Sequence, residues 1–247
     1  MAPMFMKIRS GARIQVIDVQ HMALTLGKDV CLGLLGLHSF TGCDSVSAFA
    51  GKGKLAALKL LKTDKEVQQT FADLGKQWDL SDDLFEKLEV FTCKLYAPKQ
   101  EVKKINDLRY LLLCSRNGDI ESHQLPPCQD ALKQHARRAN YQAAIWKRSI
   151  SGDYHVPSPV QHGWEIRKEG GLDILDVNWM TIPPAPDAIL ELLACKCPKE
   201  CKLLDCICMQ NRLKCTDMCK AKACCNQPQD DDDEELRHYT DDEGDDD

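Results

Sequence analysis

No stretch of this 247-residue chain has the roughly 20 apolar residues of a membrane helix, and no basic-then-apolar leader opens it. Aromatic residues make up only 6%. No segment repeats, and the phosphate-cradling pattern G-x-x-x-x-G-K-[ST] is missing. These gaps argue against a membrane span, a secretory leader, a repeat architecture and a P-loop nucleotidase. Hydrophobic content of 43% and charged content of 28% permit one or two packed domains. The net charge of −6 hides an asymmetry: residues 230–247 hold twelve Asp or Glu against one Arg, so the other 229 residues sum to +5. The acidic run reads as a solvated, disordered tail beside a basic body.

Cysteine is abundant instead. Cys195, Cys197, Cys201, Cys206, Cys208, Cys215, Cys219, Cys224 and Cys225 fall within 31 residues, in the order C-x-C-x3-C-x4-C-x-C-x6-C-x3-C-x4-C-C. A stretch this polar cannot build an apolar core, so disulfides or metal must fold it. Nine is odd, and closing a ring across C-x-C is strained, so thiolate ligation of zinc fits better. Four-coordinate zinc with only terminal cysteines would need eight or twelve ligands; nine suits about three zinc ions sharing bridging thiolates. The other cysteines (Cys31, Cys43, Cys93, Cys114 and Cys128) sit in apolar surroundings and read as buried free thiols. The expected compartment is reducing and intracellular.

The text CKCPKECKLLDCICMQNRLKCTDMCKAKACC resembles the tesmin-type CXC domain. The resemblance implies a three-zinc, nine-thiolate cluster that in several relatives binds DNA. Asp205 stands where the DNA-binding members carry a tyrosine, and the last cysteines form the adjacent pair Cys224–Cys225. Basic residues between the cysteines, Lys202, Arg212 and Lys214 among them, are the expected phosphate contacts. A nuclear location follows for a DNA-binding protein. A scaffold for protein partners is the alternative, and no membrane partner is expected.

Near the N-terminus an apolar run, Val30–His38, ends at Gly42-Cys43-Asp44. A short loop then leads to Gly51-Lys52-Gly53-Lys54, which opens a helix. Glycines let a ligand approach the backbone, and the free N–H groups of a helix start favour an anion. Gly51, Lys52, Gly53 and Lys54 therefore read as a clamp for a phosphate backbone. The segment resembles the flap-endonuclease and PIN-like nuclease superfamily. The resemblance implies an α/β domain in which Asp44 is one ligand of a two-metal (Mg or Mn) site. Two-metal chemistry needs several converging carboxylates, yet only Asp18 and Asp29 precede Asp44. The expectation is a truncated domain, from a longer nuclease or a decayed one, and not a hydrolase acting alone. Together with Leu125–Trp146 and Trp179–Leu192, these motifs also resemble a family of uncharacterised animal proteins related to mobile elements.

The predicted fold is mainly α. A partial PIN-like domain spans 1–150, a Pro-rich connector 151–193, a zinc module 194–226 and an acidic tail 227–247. The patterns predict a strand over 13–18, then helices over 19–27, 30–38, 54–61, 64–75 capped by Asp64, 81–91 capped by Ser81, 106–114 and 130–146. Leu132, Ala136, Ala139 and Ala143 would form the inner face of the last. A short strand over 163–166 and a helix over 188–194, capped by Asp187, complete the reading. His38, Cys43, His123, Cys128 and His135 match no common metal or catalytic spacing. His135, Arg137 and Arg138 read as surface or packing residues on a charged helix.

Overall fold

The computed structural model describes residues 3–11, 13–115, 124–151, 155–182, 195–198, 201–202, 205–210, 215, 219–221 and 224–226. The chain divides into two compact units, Met1–Ile182 and Pro183–Asp247. The fold is mainly helical, with two small antiparallel hairpins. The predicted helix over 188–194 and the acidic tail lie outside the described residues.

The first unit opens with β1 (Phe5–Ser10) paired to β2 (Arg13–Asp18), in the register Phe5↔Asp18 to Ser10↔Arg13. Helices follow in the order α1 (Val19–Leu26), α2 (Lys28–Phe40), α3 (Lys54–Thr63), α4 (Lys65–Asp73), α5 (Asp82–Tyr96), α6 (Ile105–Ser115) and α7 (Gln129–Arg148). The hairpin β3 (Trp164–Glu169) and β4 (Leu172–Val177) comes last. Gly170 and Gly171 both have positive φ, 59° and 83°, as a two-residue hairpin turn requires.

Side chains that satisfy the orphan N–H groups of a first turn set several helix starts. Asp18 accepts from His21 N at 2.9 Å, Asp64 from Glu66 N and Val67 N, and Ser81 from Leu84 N. Glu89 does the same from a distance. Its buried carboxylate accepts from Ile105 N at 3.0 Å, at the start of α6, and from Gln129 Nε2 at 2.9 Å, at the start of α7.

α2 is the centre of the unit and packs on α4 and α7. It buries Val30, Leu37 and Phe40. Gly36 is required by close approach, because a Cβ there would lie 2.3 Å from the Phe71 carbonyl oxygen of α4. Phe40 sits in a ring cluster with Phe49, Phe71 and Phe91 at centroid distances of 5.3–5.9 Å. α7 presents Leu132, Ala136, Ala139 and Ala143 inward, all fully buried.

Four of the five cations of α7, all but Arg137, are engaged by other segments of the first unit. Lys133 pairs with Asp82 at 2.9 Å. Lys147 donates to Ala72 O, and Arg148 to Gly75 O and Lys76 O. Arg138 is buried and donates to Gly163 O and Asn178 O. These bonds tie the end of α4 and the segments around residues 75, 163 and 178 to α7. By these bonds, residues 163 and 178 pack on α7 and the first unit runs on to Ile182.

Candidate metal centre

In the second unit sulfur replaces an apolar core. Cys195, Cys197, Cys201, Cys206, Cys208, Cys215 and Cys219 are buried, with Ala221 the one other buried side chain in their cluster among the described residues. Backbone bonds hold the segments in register. Lys202 O accepts from Cys206 N at 2.8 Å and opens a turn. The single helical turn Ile207–Gln210 follows and carries Cys208. Lys220 N donates to Cys195 O at 3.0 Å, and Cys215 N to Asn226 O at 2.9 Å.

The sulfur spacings exclude disulfides and leave room for a metal ion. Cys195–Cys201 and Cys201–Cys215 are 3.6 Å apart, Cys208–Cys219 3.7 Å and Cys206–Cys215 4.0 Å. A disulfide needs about 2.05 Å. A tetrahedral zinc with Zn–S near 2.3 Å places its sulfurs roughly 3.8 Å apart. All fourteen cysteines are free thiols, and the spacing is compatible with ligands around an ion.

Two sets of four meet the geometric condition for a shared ion, with all sulfurs of a set within 4.8 Å of one another. One is Cys195, Cys208, Cys215 and Cys219; the other is Cys195, Cys201, Cys206 and Cys215. The sets share Cys195 and Cys215. Cys197, Cys224 and Cys225 belong to neither. Cys224 is half-buried and Cys225 exposed.

The thiols of this cluster differ in acidity. Burial raises Cys201 and Cys215 well above the ordinary thiol range, and the Cys224 thiol raises both further. Burial also acts on Cys206, but the N–H groups of Met209 and Cys208 and the neighbouring thiols outweigh it and bring it to about 6. Asn226 Nδ2 donates to Cys215 Sγ at 3.2 Å, the kind of second contact that orients a ligand sulfur. The sequence pattern singled out Cys224 and Cys225 and missed Asn226, which directly follows them. An amide next to a cysteine pair is the signal that could have found it.

Of the basic residues expected to contact phosphate here, Lys202 is exposed, while Arg212 and Lys214 lie outside the described residues. Asp205 is exposed, and its N–H closes the turn onto Lys202 O at 3.0 Å.

The residues expected to act in the first unit are differently placed. Asp44 is exposed in a turn closed by Cys43 and Val46. Among the described residues, no group of three or more His, Cys, Asp or Glu ligand atoms includes Asp44. Asp18 is occupied as the cap of α1, and Asp29 lies in the first turn of α2.

Lys54 Nζ donates to His38 O, Thr41 Oγ1 and Gly42 O, three acceptors for three hydrogens. It closes the C-terminal end of α2, where orphan carbonyls favour a cation. Lys52 lies over the Tyr96 ring at 5.1 Å. Gly51 takes φ 63°, and Gly53 is the N-cap of α3. Both glycines stay exposed. His38 stacks on Trp146 at 5.5 Å, and Cys43 Sγ lies 3.6 Å from Ser45 Oγ. Cys128 is the N-cap residue of α7.

Comparison with protein families, with curated proteins and with solved structures gave no match to this chain.

Proposed function

We propose that the second unit is a polynuclear zinc-thiolate module of about three ions, through which the protein binds DNA by phosphate contacts. The observation that carries the zinc reading is the sharing of Cys195 and Cys215 by two four-cysteine sets. Two ions that share two ligands need bridging thiolates, and thiolate-bridged d10 ions fit this donor set. Cys197, Cys224 and Cys225 are left for a third ion, which would need one further shared sulfur to be four-coordinate. The proximity of all nine in sequence and the odd count support it.

The DNA reading rests on charge. Nine thiolates and three Zn²⁺ carry about −3 formally, so attraction to phosphate has to come from the Lys and Arg side chains between the ligands. Residues 195–225 supply seven of these against three acids. Such a ligand implies a nuclear protein. A divalent-ion role for Asp44 forms no part of this reading.

The test is metal content and salt dependence on the full chain. Elemental analysis is expected to return close to three zinc per chain, and duplex affinity to fall steeply as salt rises. Three zincs with no DNA affinity would leave a scaffold for protein partners. Fewer than two zincs would remove the polynuclear reading.

A further inference from the structure

We propose that a cavity against α7 binds a small organic carboxylate with a flat apolar body, held by Arg138. The cavity is about 240 Å³. Phe49, Tyr96, Pro127 and Trp179 contribute apolar wall, and His135 and Arg138 contribute its polar side.

Arg138 is the unusual residue. Its side chain is 98% withdrawn from solvent, at 2% relative exposure. Both of its hydrogen bonds leave from Nη1, to Gly163 O at 3.0 Å and Asn178 O at 2.7 Å. No carboxylate pairs with it among the described residues. Yet no described side chain has a fully buried polar atom without a partner. Nε and Nη2 make no hydrogen bond among the described residues, so neither is fully sealed in carbon, and Arg138 is a residue of the cavity wall.

Burial brings Arg138 down to about 10, so it stays charged at neutral pH. A buried charge of this kind is costly unless something of opposite sign reaches it. The free edge of a guanidinium offers two parallel N–H donors, the match for a carboxylate.

The neighbours set the charge and shape of the ligand. His135 Nε2 is 2.8 Å from Phe40 O, which can only accept, so the ring hydrogen is on Nε2. Nδ1 is then the acceptor facing Ser47 Oγ at 3.3 Å. Burial holds this imidazole neutral. Arg138 is thus the one charge of the polar side, which suits a monoanion. Trp179 lies over the guanidinium at 5.3 Å and is 61% exposed, so it stands at the mouth as a stacking platform. The volume is below the roughly 300 Å³ at which drug-sized pockets begin, so the ligand is small.

The experiment titrates the full-length, zinc-loaded protein by calorimetry with benzoate, its neutral isostere benzamide, and phenyl phosphate. Benzoate is expected to bind at least tenfold more tightly than benzamide and more tightly than the phosphate. Ala131→Leu, which fills the cavity, is expected to abolish benzoate binding. Trp179→Ala, at a position 61% exposed, is expected to weaken it severalfold. Equal affinity for benzamide, no benzoate binding, or binding that survives both substitutions would overturn the proposal. Tighter binding of phenyl phosphate would overturn its carboxylate class.

Discussion

Cys195 and Cys215 are the two sulfurs common to both four-cysteine sets. The sharing divides the cysteines into two kinds. If each set holds an ion, a sulfur in one set would support one ion, whereas a shared sulfur would bridge two. Replacing Cys215 with serine should therefore release metal from both sets, and replacing Cys206 or Cys219 should release it from one. Zinc per purified chain is expected to fall by about two for Cys215→Ser and by about one for Cys219→Ser. Equal losses would mean the sets hold independent ions.

His135 predicts a pH dependence in the first unit. Burial, opposed by the Phe40 carbonyl and helped by the nearby Arg138 charge, brings its pKa to about 4. Unfolded histidine titrates near 6.5. The unfolded chain therefore takes up this proton first as pH falls, and stability must fall with it. The contribution is fully present above pH ~6.5 and drains away towards pH ~4, costing roughly 2–3 kcal/mol between pH 7 and 4.5. Trp78, Trp146, Trp164 and Trp179 all lie in the first unit, so urea unfolding followed by tryptophan fluorescence reads it directly. His135→Gln should flatten this part of the profile. An equally steep profile in that variant would assign the loss to carboxylates.

The elements with strong periodicity or a capping residue were legible in the sequence. Asp64 and Ser81 cap their helices, and the four inward residues of α7 lie where a 3.6-residue repeat puts them. β1 was missed, although Phe5, Met6 and Ile8 lie on it. Its pairing partner was visible, but a ribbon exposed on both faces leaves little alternation to read. β4 went unread too, despite the Gly170-Gly171 turn signal.

Side-chain purpose was harder to read than elements. Lys54 next to two glycines looks like a phosphate contact, and only the returning end of α2 shows its ammonium to be engaged. Arg138 looked like a solvated charge until the 155–182 segment folded over it. The cysteine spacing pointed to metal, but which sulfurs are shared depends on how the loops close.

Gly36 should be intolerant of any side chain. Its added Cβ would meet backbone at 2.3 Å, on the Phe71 carbonyl, and backbone cannot rotate away. Gly36→Ala must part α2 from α4 and is expected to cost about 1–3 kcal/mol or more. Gly53 has open space around it and serves as the N-cap of α3 without a side-chain bond. Gly53→Ser is therefore expected to be neutral or slightly stabilising. Matched urea melts of the two variants measure the contrast.

Lys54 and Lys202 differ in their surroundings: the Lys54 ammonium is bonded to the end of α2, while Lys202 is exposed. Lys202 is exposed in the cysteine module, and none of the ion pairs found among the described residues includes it. If that module holds DNA by its phosphates, Lys202→Ala should lower the slope of log affinity against log salt by about one. The loss should be the same on any duplex sequence, because a phosphate contact carries no base information. Lys54→Ala should leave that slope unchanged. Its three hydrogens are engaged by His38 O, Thr41 Oγ1 and Gly42 O, so removing it uncaps α2 and should destabilise the first unit by roughly 1–3 kcal/mol. A reduced slope in Lys54→Ala would instead show that the 51–54 turn releases its lysine to meet the backbone of DNA.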